Sequence, residues 1–313
     1  MGNRRIFLKD LAVMAGAIQL APSMFAGGSN VASDNLHVSI FSKHLQFLDY
    51  AQCGQKAAEL GFDGVDLTVR PKGHVLPENV SRDLPIAVAD IRKSGVDCNM
   101  ITTSIESVDN EEDVRILQAA SKAGIKYYRT GWFRYRKNVP LTTSITHFQK
   151  EVQDLSILNK NLDLIGCYQN HAGTKVGASF WEIYQLLQDV DPKYFGTQYD
   201  IRHASVEGGH SWVNGLNLLK DKIKMIVLKD YRWEKKKGKW KLINVPIGEG
   251  MVDFVKYFKL LKGYGINPPV SLHLEYPLGG AEKGKYTIDV NESVVYKAME
   301  KDLVTIRKMW SQA

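Results

Sequence analysis

One pattern recurs along this chain from Leu36 onward: a helical stretch ends at a glycine, one or two residues pass, and a β-branched or apolar run follows. Ala58-Glu-Leu-Gly61 leads into residues 65–69, Arg92-Lys-Ser-Gly95 into 96–101, Ser121-Lys-Ala-Gly124 into 125–129, and Lys262-Gly-Tyr-Gly265 into 270–275. Glycine suits the left-handed position that closes a helix, and β-branched residues suit a pleated strand. Strands are predicted at 36–41, 64–69, 97–102, 125–130, 164–170, 195–200, 223–229 and 270–275. Helical periodicity fills the gaps, most clearly at 48–60, 111–123, 144–158, 180–187 and 252–261, with a last helix over about 290–309. Eight strand-then-helix units predict an α/β fold, the closed parallel (β/α)8 TIM barrel. A doubly wound sheet would need a glycine-rich phosphate turn after an early strand, and Phe41-Ser-Lys-His-Leu has none. A chain of 313 residues, 44% hydrophobic and 24% charged, buries one large core. A single domain over 34–313 is expected.

Residues 1–33 read as an export signal and linker. Asn3-Arg4-Arg5-Ile-Phe-Leu-Lys9 precedes a mostly apolar run over 11–20, and small residues follow near Ala26. This resembles a twin-arginine export signal, which implies a periplasmic destination. The run is shorter than the ~20 apolar residues that span a bilayer, and no cysteine follows it to carry a lipid. No stable membrane anchor is expected once the signal is cleaved. Cys53, Cys98 and Cys167 are odd in number and far apart, so they read as buried thiols, not a disulfide framework. The formal charge is +7 overall, and +5 once residues 1–33 are set aside. Much of the excess sits in Lys235-Lys-Lys-Gly-Lys239-Trp-Lys241. One short basic run is a weak electrostatic footprint, so it reads as a solvated loop with no nucleic-acid partner.

In such a barrel, chemistry gathers on the loops at the carboxyl ends of the strands. There the apolar runs stop at charged or imidazole groups: Lys43 and His44, Arg70 and His74, Glu106, Arg129 and Arg134, Gln169 and His171, Asp200 and His203, Lys229 and Asp230, and Glu275. Charged groups at strand ends are costly unless paired or ligating, which favours function for Asp200 and Glu275. Alternation places Gln198 on the side of Asp200, and His273 one layer beneath Glu275. The catalytic set is read as Glu275, His203 and Lys229. The substrate-binding set is read as Lys43, His44, Arg70, His74, Gln169 and Trp233. The loop Trp132-Phe-Arg-Tyr135 is expected to cover the site. The stretch 231–250 far exceeds the ~2–6 residues usual between strand and helix; it is expected to form a hairpin turning at Lys237-Gly238, with the lysines in solvent.

Several of these residues carry a family resemblance. Val245-Pro-Ile-Gly-Glu-Gly250 followed by Val252-Asp-Phe254, the Leu-Lys229-Asp230 strand end, Asp200-x-x-His203 and the final Leu-Glu275 resemble the xylose-isomerase-like barrels, the sugar phosphate isomerase/epimerase group. The resemblance implies a divalent metal held by Glu, Asp, His and Glu from strands five to eight. Asp200 and Glu275 match the second and fourth of these, whereas Gln169 and Val227 stand at the first and third. In another branch of the family, His-Asn-His on strand five is followed by Glu; here Gln169-Asn170-His171 meets Thr174 instead. Asp200, Glu275 and His171 would leave a nitrogen-and-oxygen ligand set suited to Mn, Zn, Fe or Mg. The alternative is metal-free stabilisation of an enolate by Lys229, Arg70 or the imidazoles.

The function implied is proton abstraction next to a sugar carbonyl, giving an enediolate that collapses to an isomer or epimer. Glu275 or His203 would be the base, and Asp200, with a metal or with Lys229, would hold the oxygens. One alternative is a 3-keto-glycoside lyase or hydratase, in which the same enolate expels a leaving group. Another is a non-catalytic sugar-binding barrel. In each case the partner is a small carbohydrate.

Overall fold

The glycine stops close their helices as the pattern requires: Gly61 and Gly95 both adopt φ +81°, a conformation that costs a residue with a Cβ about 1 kcal/mol or more. These features belong to a computed structural model that describes residues 35–313. The export-signal reading of 1–33 lies outside the described residues. No helix among those described is long and apolar enough to cross a membrane.

The strands β1 (Val38–Phe41), β2 (Gly64–Val69), β3 (Asp97–Thr103), β4 (Tyr127–Arg129), β5 (Ile165–Gln169), β6 (Phe195–Asp200) and β7 (Ile223–Leu228) run parallel. After a hairpin of β8 (Asp230–Lys236) and β9 (Lys239–Val245), β10 (Val270–Leu272) pairs with both β7 and β1 and closes the barrel. Helices α1 (Tyr50–Glu59), α2 (Val80–Arg92), α3 (Glu111–Lys122), α4 (Leu141–Leu162) and α5 (Phe180–Leu186) follow the first five strands in turn. The pair α6 (Ile201–Gly208) and α7 (Trp212–Leu219) follows β6, α8 (Phe254–Gly263) follows the hairpin, and α9 (Glu292–Ser311) ends the chain. The TIM-barrel expectation holds.

Apolar side chains on the outer face of the barrel pack against the helices, as with Val65 and Leu67 of β2 and Ile226 and Leu228 of β7, all fully buried. The inner face is polar toward the mouth. There Asp66 accepts from Thr102 Oγ1 at 3.0 Å and Ser271 Oγ at 2.6 Å, and burial pushes its carboxyl up to about 6 against those bonds. Beneath lies a small apolar plug of Met100, Cys167 and Met225. All three thiols are buried and unpaired, as expected.

The hairpin turns at Lys237 and Gly238, with φ of 50° and 76° and Lys236 paired to Lys239. Two positive φ values in succession mark the turn whose twist matches paired strands. Its base is fixed by Asp230, whose carboxylate accepts from the backbone N–H groups of Tyr231, Gly248, Gly250 and Val252 at 2.8–3.2 Å. A Cβ on Gly250 would lie 2.2 Å from Asp230 Oδ1. The Pro-Ile-Gly-Glu-Gly sequence thus serves to let backbone donors close on a buried carboxylate, so Asp230 is a structural residue.

Candidate active site

Phe41, Lys43, Arg70, Arg129 and Trp132 line one side of a cavity of about 200 Å³ at the carboxyl ends of the barrel strands. Gln169, His171, Lys229, His273 and Glu275 line the other. Asp200 and His203 are buried behind this lining.

Asp200 ends β6 and caps α6, accepting from the His203 backbone N–H at 3.0 Å. Asn170 locks the neighbouring strand end to it, donating to the Asp200 carbonyl at 3.0 Å and accepting from its N–H at 2.8 Å. The fully buried Asp200 carboxylate takes Gln169 Nε2 at 2.8 Å and Lys229 Nζ at 3.0 Å. Those bonds offset its desolvation. Lys229 Nζ also lies 3.0 Å from His203 Nε2 and 3.6 Å from Glu275 Oε2.

The β10 ladder stops at Leu272, shorter than the run expected to reach Glu275. The His273 N–H makes the last bond to β7, at Leu228 O, 3.0 Å, and the Leu274 N–H then turns to His44 Nε2 at 3.0 Å. Since Nε2 accepts, the His44 proton sits on Nδ1, facing Ala281 O at 3.2 Å. His44, expected to bind substrate, is saturated by backbone, fully buried and outside the cavity lining; it positions the Glu275 segment. Burial, then Lys43, depresses its basicity strongly. From the hairpin, Asn244 donates to Glu275 O at 3.2 Å and takes Arg202 Nη2 at 2.7 Å. Burial alone would raise the Glu275 carboxyl, but Lys229, the neighbouring His273 and Lys43 outweigh it and hold it well below the usual range.

The two imidazoles beside Lys229 differ in what they can accept. His203 has Arg202 Nη1 at 2.9 Å from Nδ1 and Lys229 Nζ at 3.0 Å from Nε2, so its ring is enclosed by cations. Burial and then Lys229 lower its basicity strongly. His203, expected as a candidate base, is 3% exposed and is not among the residues that line the cavity. His171 instead donates from Nδ1 to Ala172 O at 2.8 Å, a contact in which the carbonyl can only accept, leaving the Nε2 lone pair free. Burial and then Lys229 lower its pKa to about 4, so it is neutral near pH 7.

Two further expectations are corrected. His74 lies under the loop, with Nε2 3.2 Å from Leu48 O and its ring edge-on to Tyr50. Trp233, 43% exposed and paired across the hairpin with Leu242 on the same face, is outside the cavity lining. Trp132 covers the site as expected, packed against the Arg129 guanidinium at 4.1 Å and the edge of His171 at 4.7 Å. Arg129, Phe41 and His273 enter the lining without having been assigned a role. Alternation carried the signal for Arg129: it shares a side with Tyr127, and β4 leaves it as the last inward position.

A family model for the xylose isomerase-like TIM barrel matches residues 55–290. The chain belongs to that family. Among curated proteins, none matches the sequence. Solved structures of this barrel type resemble it at low identity. One is the 3-keto-D-glucoside 4-epimerase YcjR of E. coli, with TM-score 0.65 and 13% identity over 88% of this chain and 100% of that one. A second is D-psicose 3-epimerase determined in the presence of D-fructose, with TM-score 0.63 and 12% identity over 88% and 99%. A third is a xylose isomerase-like TIM barrel protein from Mycobacterium smegmatis in complex with magnesium, with TM-score 0.63 and 12% identity over 89% and 98%. At such identities the likeness is one of fold.

Within this family the present site departs at the metal. Among the described residues, no three His, Cys, Asp or Glu side chains are grouped to hold an ion. The reason is local. Lys229 Nζ stands within 3.0 Å of Asp200 and 3.6 Å of Glu275, so an ammonium occupies the ground between the two carboxylates. Gln169 adds an amide where a carboxylate ligand would stand, and Val227 has no donor atom. As the side chains stand, Asp200, Glu275 and His171 do not fit a divalent ion.

Proposed function

We propose that the protein is a carbohydrate isomerase or epimerase that removes a proton next to a sugar carbonyl, using the Lys229 ammonium in the role that the family resemblance would give a metal. One observation carries this reading: a single ammonium is held between Asp200 and Glu275 at the floor of a cavity whose volume suits one sugar ring. Glu275 takes the proton. Its depressed basicity rises as Lys229 turns from it toward the substrate oxygen, where the ammonium stabilises the developing enediolate. His171, with Nε2 free, accepts or returns the second proton. Asp200, Gln169 and Asn170 hold Lys229 in place.

The same enediolate beside a leaving group would eliminate it. A 3-keto-glycoside lyase therefore remains the second reading, favoured by the likeness to a 3-keto-D-glucoside 4-epimerase and to a probable 3-DHS dehydratase. Incubating free and 3-keto sugars with the enzyme in deuterated water separates these readings. Isomerisation incorporates deuterium at unchanged carbon skeleton, elimination releases the aglycone, and tight binding with neither outcome would leave only a sugar-binding barrel. In the same assay, dialysis against EDTA is expected to leave turnover unchanged; a loss restored by Mn or Mg would overturn the role given to Lys229.

A further inference from the structure

The cationic groups in the cavity outnumber what proton abstraction requires. Lys229 is engaged with Asp200 and Glu275, and Lys43 lies 3.9 Å from Glu275. Arg70 and Arg129 have no such carboxylate in the lining. Arg129 is only 3% exposed, so its charge is almost wholly desolvated. Its Nη2 donates to Thr103 O at 3.1 Å, while Nη1 is buried without a partner. Beside it, the indole Nε1 of Trp132 is buried and unpartnered as well. Among the described residues the Arg70 guanidinium forms no hydrogen bond or ion pair, and it lies against the Phe41 ring at 5.5 Å.

Leaving a guanidinium buried with an open donor is expensive unless something else fills it. The nearby Asp66 carboxylate does not, since it is spent on Thr102 and Ser271. We infer that the substrate is an acidic sugar, whose carboxylate or phosphate group is held by Arg129 and Arg70 with Trp132 Nε1 as a third donor. Planar guanidinium forks match such anions in pairs, and their rigidity favours a fixed orientation of the sugar relative to Glu275. This deepens the sugar-enzyme reading of the same cavity and rests on it. Neutral sugars would leave the open donors unmatched, which gives the site its discrimination.

The test compares D-glucose, D-glucuronate and D-glucose 6-phosphate, with the galacto series alongside, by calorimetry at low and high salt. An acidic probe is expected to bind at least tenfold more tightly than its neutral counterpart, and added salt is expected to shrink that preference. A stronger response to the uronate identifies a carboxylate, and to the phosphate ester a phosphoryl group. Arg129→Gln and Arg70→Gln are expected to erase the preference, so that acidic and neutral probes bind each variant about equally. If Arg129→Gln fails to fold, Arg70→Gln at the less buried position decides. Equal binding of neutral and acidic probes, or a preference kept in the folded Arg variants, overturns the inference. The two readings fail separately. Deuterium incorporation into neutral sugars alone would sink the acidic substrate and keep the enzyme, whereas tight acidic binding without exchange would do the reverse.

Discussion

Glu275→Gln is expected to lower kcat by about 10³-fold with little change in substrate affinity, the size of effect that a positioned general base contributes. The substitution keeps the shape of the side chain. It also leaves the backbone restraints untouched, since the Leu274 N–H still meets His44 and the Glu275 carbonyl still takes Asn244. What it removes is the one ionised carboxylate on the cavity wall. Lys229→Met is expected to cost as much by a different route: it deletes the oxyanion's partner and also leaves Asp200 buried without a counter-ion, so folding weakens with it. The contrast is informative. If Glu275→Gln retains wild-type turnover on an identified substrate while its Tm is unchanged, Glu275 is not the base and His171 inherits the role. If it loses binding more than kcat, Glu275 holds the substrate and does not abstract its proton.

Much of the architecture was legible because it follows from local rules. β2 and β6 match their predicted bounds, and the hairpin turn falls at Lys237-Gly238, where Gly238 takes its positive φ without a Cβ clash. Where the local signal changes its chemistry, the reading falls short. Helix α4 runs four residues beyond its predicted end because Asp163, at φ 53°, closes it in place of a glycine. Helix α2 carries Pro85 in its interior and so lacks a clean periodic signature.

The site divides along a similar line. Lys43 with His44, and Arg70 with His74, look alike as polar groups following a strand. A lysine or arginine cannot shed its charge cheaply and stays at the cavity, as Lys43 and Arg70 do. An imidazole is neutral near pH 7 and can be held by backbone alone, as His44 is at both ring nitrogens and His74 is at Nε2. Sequence distinguishes neither outcome, because the partners come from residues 237 and 26 positions away along the chain. Lys229 lay at the strand end as read, yet its place between Asp200 and Glu275 depends on what Gln169 and Val227 do not supply.

Those buried imidazoles make the fold acid-sensitive. Burial lowers His74, His171 and His273 to about 4 and holds His44 and His203 well below the usual imidazole range. In the unfolded chain each returns to about 6.5. Between those values the unfolded state binds more protons than the folded one, so stability rises with pH and is lost as pH falls from 6.5 toward 4. A shift of one unit is worth about 1.4 kcal/mol, so each of the three rings lowered to about 4 withdraws at most on the order of 3 kcal/mol across that window. Asp66, raised to about 6, and Asp302, raised to about 7, act in the opposite sense, gaining stability as pH falls through the same range. Burial raises Glu106, Asp113 and Asp230 as well, and these carboxyls together offset part of the loss, while below pH 4.5 Glu275, held low when folded, adds to the decline. The net expectation is a fall in Tm of about 10 °C or more between pH 7 and pH 4.5, given that 1 kcal/mol moves Tm by roughly 2–4 °C in a domain of comparable size. Urea unfolding across that range reads the same quantity as ΔG. His74→Gln, remote from the cavity and able to keep a donor toward Leu48 O, is expected to flatten the slope by one histidine's share. A Tm that stays level from pH 7 to pH 4.5 in the wild type would show that these rings are protonated in the folded state. In that case the neutral His171 on which the second proton transfer depends would be lost with them.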